Sequence, residues 1–177
     1  MPAPSTTATG SLGKALVSLA WLIASTTKFQ TVTGAASATA AMAYVHIETD
    51  DTADTTETLP RAIVHFANEY GRTRTALNEF SASGTMIFSF EFASTISATR
   101  NRWNEFIAFM NDVELIISQM EALVGTGTGY HSGESHLQID TITLADGPGC
   151  KTLIPRMDAE TPQNIYGVTY AVTWSGY

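Results

Sequence analysis

An α+β fold is what this sequence predicts: an antiparallel sheet of about four strands, ordered β-β-α-β-β, with a long helix packed on one face and an additional N-terminal helix. Three observations carry that reading. In the run Thr85 to Phe92, Met86, Phe88, Phe90 and Phe92 alternate onto one face. In the run Tyr166 to Trp174, Tyr166, Val168, Tyr170, Val172 and Trp174 do the same. Between them, Trp103, Phe106, Met110, Val113, Ile117, Met120 and Val124 recur at three- and four-residue steps. Strand side chains repeat every two residues and helix faces every 3.6, so the pattern reads strand, helix, strand.

The elements follow in order. Residues 1–10 are rich in Pro, Ser, Thr and Ala and read as a flexible N-terminal arm; residues 11–177 read as a single α+β domain. Ser11 can cap a helix from Leu12 to Thr27, with Phe29 and Val32 pinning its far end and Gly34 stopping it. Leu12, Leu16, Leu19 and Ile23 share a helical face. The apolar run Ala15 to Ala24 therefore reads as a core helix rather than a signal-peptide core. Tyr44 to Ile47 reads as a short strand, and the acidic, Thr-rich stretch from Asp50 to Thr58 as an exposed loop. Pro60 opens a strand from Arg61 to Asn68. Glu69 to Ser83 is polar, carries Arg72 and Arg74, and reads as a long connection. The long helix runs from the Ser94–Thr99 region to Gly125. Its apolar face, widened by Phe109, Ile116 and Leu123, suits a sheet better than a coiled-coil seam. Strands follow at His136 to Leu144 and Ile165 to Trp174, separated by a second long connection. No internal repeat is visible.

Composition narrows the function. The chain has 177 residues, long enough for one well-buried core. Only 15% of them are charged, against a usual value of about 25%. A surface poor in charge is more easily covered by partners, because fewer ions must be desolvated. The net charge of −8 and pI near 4.8 argue against gripping nucleic-acid phosphates or docking on anionic lipid. Cys150 is the only cysteine, which excludes an intramolecular disulfide and points to a reducing compartment.

Residues suited to chemistry are few. Cys150 lies in a turn-like Asp-Gly-Pro-Gly-Cys setting with no visible His partner. His131, Glu134 and His136 stand close together, as a small metal-dependent enzyme or ligand-binding module would need, but their spacing matches no helical or ribbon ligand set. His46, Glu48 and Asp50 alternate onto one face and read as a solvated strand end. The glycines from Gly125 to Gly129 follow a helix and precede a strand, the wrong end of the helix dipole for phosphate. The sequence thus predicts no catalytic residue, metal or cofactor. The opposite charges of Asp50, Asp51, Asp54 and Glu57 on one side, and Arg72 and Arg74 on the other, are the candidate contacts to an identical subunit or a partner.

The layout as a whole resembles the tail terminator (tail completion) proteins of long-tailed bacteriophages. The resemblance lies in the Leu-rich N-terminal helix running into Lys28-Phe29-Gln30, the Pro60 to Val64 strand, the run Gly84 to Phe92, the Asn111 to Leu123 helix, Ala145-Asp146-Gly147-Pro148, and the closing Val172-Thr173-Trp174. It implies a structural virion protein of the tail or neck, assembled in the host cytoplasm. Such proteins form a hexameric ring on the last ring of the tail tube. They end tube polymerisation and offer a head-joining surface, so the tube protein and the head–tail connector proteins would be neighbours. Genomic DNA would pass through the lumen without specific binding, which an acidic chain suits. Another neck or connector protein, or the tube protein itself, is the alternative within this class.

Overall fold

A computed structural model describes residues 11–48, 59–76, 79–93, 102–124, 139–144, 154–156 and 163–176. The N-terminal arm, the acidic segment with Asp50, Asp51, Asp54 and Glu57, the glycine stretch from Gly125, the His131, Glu134 and His136 group, and Cys150 lie outside them.

The first described element is helix α1 (Ser11–Ser25). It was expected to bury one face, yet Ala15, Val17, Ser18, Leu19, Ala20, Trp21, Leu22, Ile23 and Ala24 are all buried. A helix apolar all round belongs inside a core, and α1 lies against both helices and strands. Among the described residues no helix is long and apolar enough to cross a membrane.

Thr26 divides the expected single helix in two. Its hydroxyl donates to Ile23 O at 2.8 Å and accepts from Phe29 N at 3.3 Å. With extended backbone it both closes α1 and caps α2 (Thr27–Thr33). Gly34, at φ 69°, ends α2 in the left-handed region. Ala35 N donates to Gln30 O and Gly34 N to Thr31 O, the paired bonds of a Schellman cap. The short α3 (Ala38–Ala41) is capped by Ser37, and a 3-10 turn leads into the sheet.

The strands are β1 (Val45–Glu48), β2 (Arg61–Ala76), β3 (Glu79–Ala93), β4 (Ile139–Leu144), β5 (Ile154–Arg156) and β6 (Gln163–Gly176); helix α4 (Arg102–Leu123) falls between β3 and β4. They form one six-stranded mixed sheet in the order β1-β2-β3-β6-β4, with β5 also paired to β6. This corrects the expected antiparallel sheet of four strands in two ways. First, β1 pairs with β2 in parallel. Residues 49–60 join them, a span of the length that parallel crossovers need and hairpins do not, about a dozen residues. Second, β5 sits inside the expected connection, too short to show a periodicity.

Pairing assigns the faces, because residues directly opposite point the same way. Phe90 lies between Ala62 and Val168, Phe88 between Val64 and Tyr170, and Met86 between Phe66 and Val172. Met86, Phe88, Phe90, Tyr166, Val168, Tyr170, Val172 and Trp174 are buried, as their alternation requires. Helix α4 supplies the other side with Phe109, Val113, Ile116, Ile117 and Met120, all buried. Phe109 meets Phe92 edge-on at 5.0 Å and stacks on Tyr166 at 5.8 Å. Burying each such ring contributes about 1.5–3 kcal/mol.

Two contacts lock the helices together. Lys28 Nζ lies 2.6 Å from Asp112 Oδ1, and Lys28 N donates to Gln119 Oε1 at 2.9 Å. The second bond satisfies a backbone N–H in the first turn of α2 that has no partner within its own helix.

Candidate functional site

Three surfaces carry the polar residues that the core does not absorb. The first is a hairpin arm. Sequence reading placed Arg72 and Arg74 in a long connection, but Glu69 to Ser83 belongs almost entirely to β2 and β3. Arg72 and Arg74 interrupt the side that also carries the positions of Tyr70, Phe80 and Ala82, so its two-residue alternation shows no continuous apolar face. The ladder of backbone bonds makes it strand nonetheless, pairing Tyr70 with Gly84, Arg72 with Ala82 and Arg74 with Phe80.

That hairpin outruns its neighbours. β1 accompanies β2 only as far as His65, and β6 accompanies β3 only from Ala82 onward. Among the described residues, the distal part is therefore a two-stranded projection from the sheet. A register shift between Phe66 and Tyr70 lies further in, where β6 still flanks β3, with residues 67–69 standing opposite Thr85 alone. Such a bulge bends and twists a ribbon. Gly71, Arg72, Thr73 and Arg74 are exposed. By register, Arg72 and Arg74 share the side of the sheet that carries Ala82, Gly84 and Met86, which is the helix side.

The second surface is the opposite face of the sheet. Arg61 and Glu91, Ile63 and Ser89, and His65 and Ile87 pair there. Arg61 Nε and Nη2 each lie 2.8 Å from Glu91 Oε2, with the Arg61 side chain only 1% exposed. Ser89 Oγ lies 3.1 Å from Thr169 Oγ1, and Thr141 Oγ1 lies 2.7 Å from Ser175 Oγ. These hydroxyls bond one another across strands, which fixes register rather than activating a nucleophile. His46, expected at a solvated strand end, is instead buried beside β2, opposite Ile63. Sequence reading placed Arg61 at the start of a strand but gave it no partner. Registering the two strands on their apolar faces would have placed Arg61 against Glu91.

The third surface is the outer ridge of α4. The exposed residues described on this helix fall at three positions of a seven-residue repeat, among them Ala108, Leu115 and Ala122, and Ile107, Glu114 and Glu121. Ile107 and Leu115 are 41% and 46% exposed, the large hydrophobics most open to solvent among the described residues. Inward, Glu105 accepts a 2.8 Å hydrogen bond from the Tyr166 hydroxyl. Among the described residues, no three metal-binding side chains converge.

Of the expected contact residues, Arg72 and Arg74 are thus brought together on one side of the arm. Comparison with protein-family models finds no match, and comparison with curated protein sequences finds none.

Proposed function

We propose that this chain is a structural ring protein of a bacteriophage tail or neck, of the tail-terminator kind. The observation that carries the reading is the hairpin arm, which among the described residues outruns its neighbours, with Arg72 exposed at its root and Arg74 exposed in its two-stranded part, on a chain whose net charge is −8. A projecting element that exposes two arginines on an otherwise acidic subunit favours contact with another copy, where one patch meets a different one. Head-to-tail contacts of that type close into rings when the rotation between subunits permits. The acidic run of Asp50, Asp51, Asp54 and Glu57 is the second candidate contact in the same ring. On this reading the ring is a hexamer, caps the tail tube, ends its polymerisation and presents a surface to the head–tail connector. The acidic balance of the chain lets DNA pass without sticking.

Negative-stain images of the purified chain, alone and mixed with isolated tail tubes, test this. Rings seated on tube ends are the expected result. Particles that remain monomeric and leave the tube ends bare overturn it, and filaments formed by the chain alone would assign it to the tube itself.

A further inference from the structure

We propose that the sheet of one copy continues into the next, the open edge of β4 pairing antiparallel with the open edge of β2 in its neighbour. The contact rests on the reading of the chain as a ring subunit, and it names the two edges that meet.

Register is the first argument. Among the described residues, β4 pairs only with β6, and β2 beyond His65 pairs only with β3. These two open stretches lie at the same level of the sheet. One row runs Ile142, Trp174, Gly84, Tyr70, and another runs Leu144, Val172, Met86, Phe66. Each row crosses four strands, β4-β6-β3-β2, and ends at an edge on either side. A strand edge presents backbone N–H and C=O groups to any further strand that can lie beside it.

Polarity is the second argument. All three pairings in this band are antiparallel, so its outer strands β2 and β4 run in opposite directions. A second copy set beside the first in the same orientation therefore offers its β2 antiparallel to β4. The helices of both copies then stay on one side of the joined sheet. Pairing β4 with β4 would cover one edge of each copy and leave the other open. Head-to-tail pairing covers both edges with one kind of contact, and its repetition closes a ring where the rotation permits.

The side chains permit the approach. Main-chain bonds make the contact, so it asks nothing of the Arg72 and Arg74 side chains, which already interact within the chain. Both stand out of the sheet plane, on the helix side. On the other side the two edges carry Thr141 on β4, and Gly71 and Thr73 on β2. All three are exposed and uncharged, so no ion is desolvated there when the edges meet.

A head-to-tail contact brings unlike positions together, and cross-linking reads that directly. Cys150, the only cysteine, is first replaced by Ser. Into that background go Thr141→Cys alone, Thr73→Cys alone, and both together. Both positions are exposed, so circular dichroism of each variant should match the wild type. A bifunctional thiol reagent spanning about 5–8 Å reaches a directly opposite or diagonal residue on a paired strand. On a denaturing gel the double variant should give a ladder of covalent oligomers. Either single variant should stay monomeric, and an equal mixture of the two should stop at dimers.

Each reaction is run on the chain alone, up to about 1 mM, and again with isolated tail tubes. A double variant that stays monomeric under both conditions overturns the contact. So do covalent dimers from either single variant, because like edges would then be meeting. Rings seated on tube ends without the head-to-tail ladder would overturn this contact while leaving the tail assignment standing. A ladder from a chain that leaves tube ends bare would do the reverse.

Discussion

Arg61 grips a single oxygen of Glu91 with two of its nitrogens, Nε and Nη2, each 2.8 Å from Oε2, across adjacent strands. The guanidinium is buried and the carboxylate nearly so, on the face of the sheet opposite the aromatic core. A pair so placed costs desolvation on both sides, and its removal is asymmetric: losing one partner strands a charge, while losing both does not.

Glu91→Ala should therefore lower stability by about 3–5 kcal/mol. The double change Arg61→Met with Glu91→Leu should return to within about 1 kcal/mol of the wild type. Urea unfolding followed by tryptophan fluorescence measures both. A loss below about 1 kcal/mol for Glu91→Ala would mean that the guanidinium is held chiefly from elsewhere.

Gln119 should matter more than Asp112, although both hold Lys28. The Lys28–Asp112 pair is partly exposed, with side chains at 23% and 31%, and pairs of that kind contribute about 0.2–1 kcal/mol. Gln119 instead caps a backbone N–H of α2 from another helix, and losing a cap costs about 1 kcal/mol, up to about 2. Comparing Gln119→Ala with Asp112→Ala at low and high salt separates them, because only the second should be salt-sensitive.

Tyr166→Phe keeps the ring stacked on Phe109 and removes only the hydroxyl that donates to Glu105. A hydrogen bond to a charged acceptor contributes about 1.5–3 kcal/mol, and the melting temperature should fall accordingly. An unchanged midpoint would show that Glu105 finds water as readily as it finds the tyrosine.

Gly34→Ala should cost about 1–2 kcal/mol. The φ of 69° is the reason, since a Cβ built there meets nothing within 4 Å. The loss would arise from backbone conformation alone, without a clash. A neutral outcome in thermal unfolding would show that the Schellman cap tolerates a side chain.

What the sequence revealed was the part held together by burial. Phe88 and Phe90, Tyr166 to Trp174, and the stripe from Phe109 to Met120 all declare themselves through spacing, because a buried face must repeat with the period of its element. The hairpin arm left no such mark. Arg72, Thr73 and Arg74 are exposed, and their strand character comes from backbone bonds to Phe80, Ser81 and Ala82 rather than from side-chain pattern. Thr26 is a similar case. A single hydroxyl splits one expected helix into two, a local competition that apolar periodicity does not record. The parallel pairing of β1 depends on where a connecting segment travels, which no spacing rule encodes. Arg72 and Arg74 were legible as charges, but their common side of the arm required the register.

Strand β3 is bonded along both of its edges, to β2 from Glu79 to Glu91 and to β6 from Ala82 to Ala93. Tension applied at the tip along the strand axis would load these ladders in shear, many bonds together rather than one after another. From Phe80 to Phe92 the strand runs about 40 Å. At that far end Phe92 packs on Phe109 of α4. The molecule thus contains a stiff strut from its outermost ribbon to its aromatic interior, and a pull at one end reaches the other with little stretch.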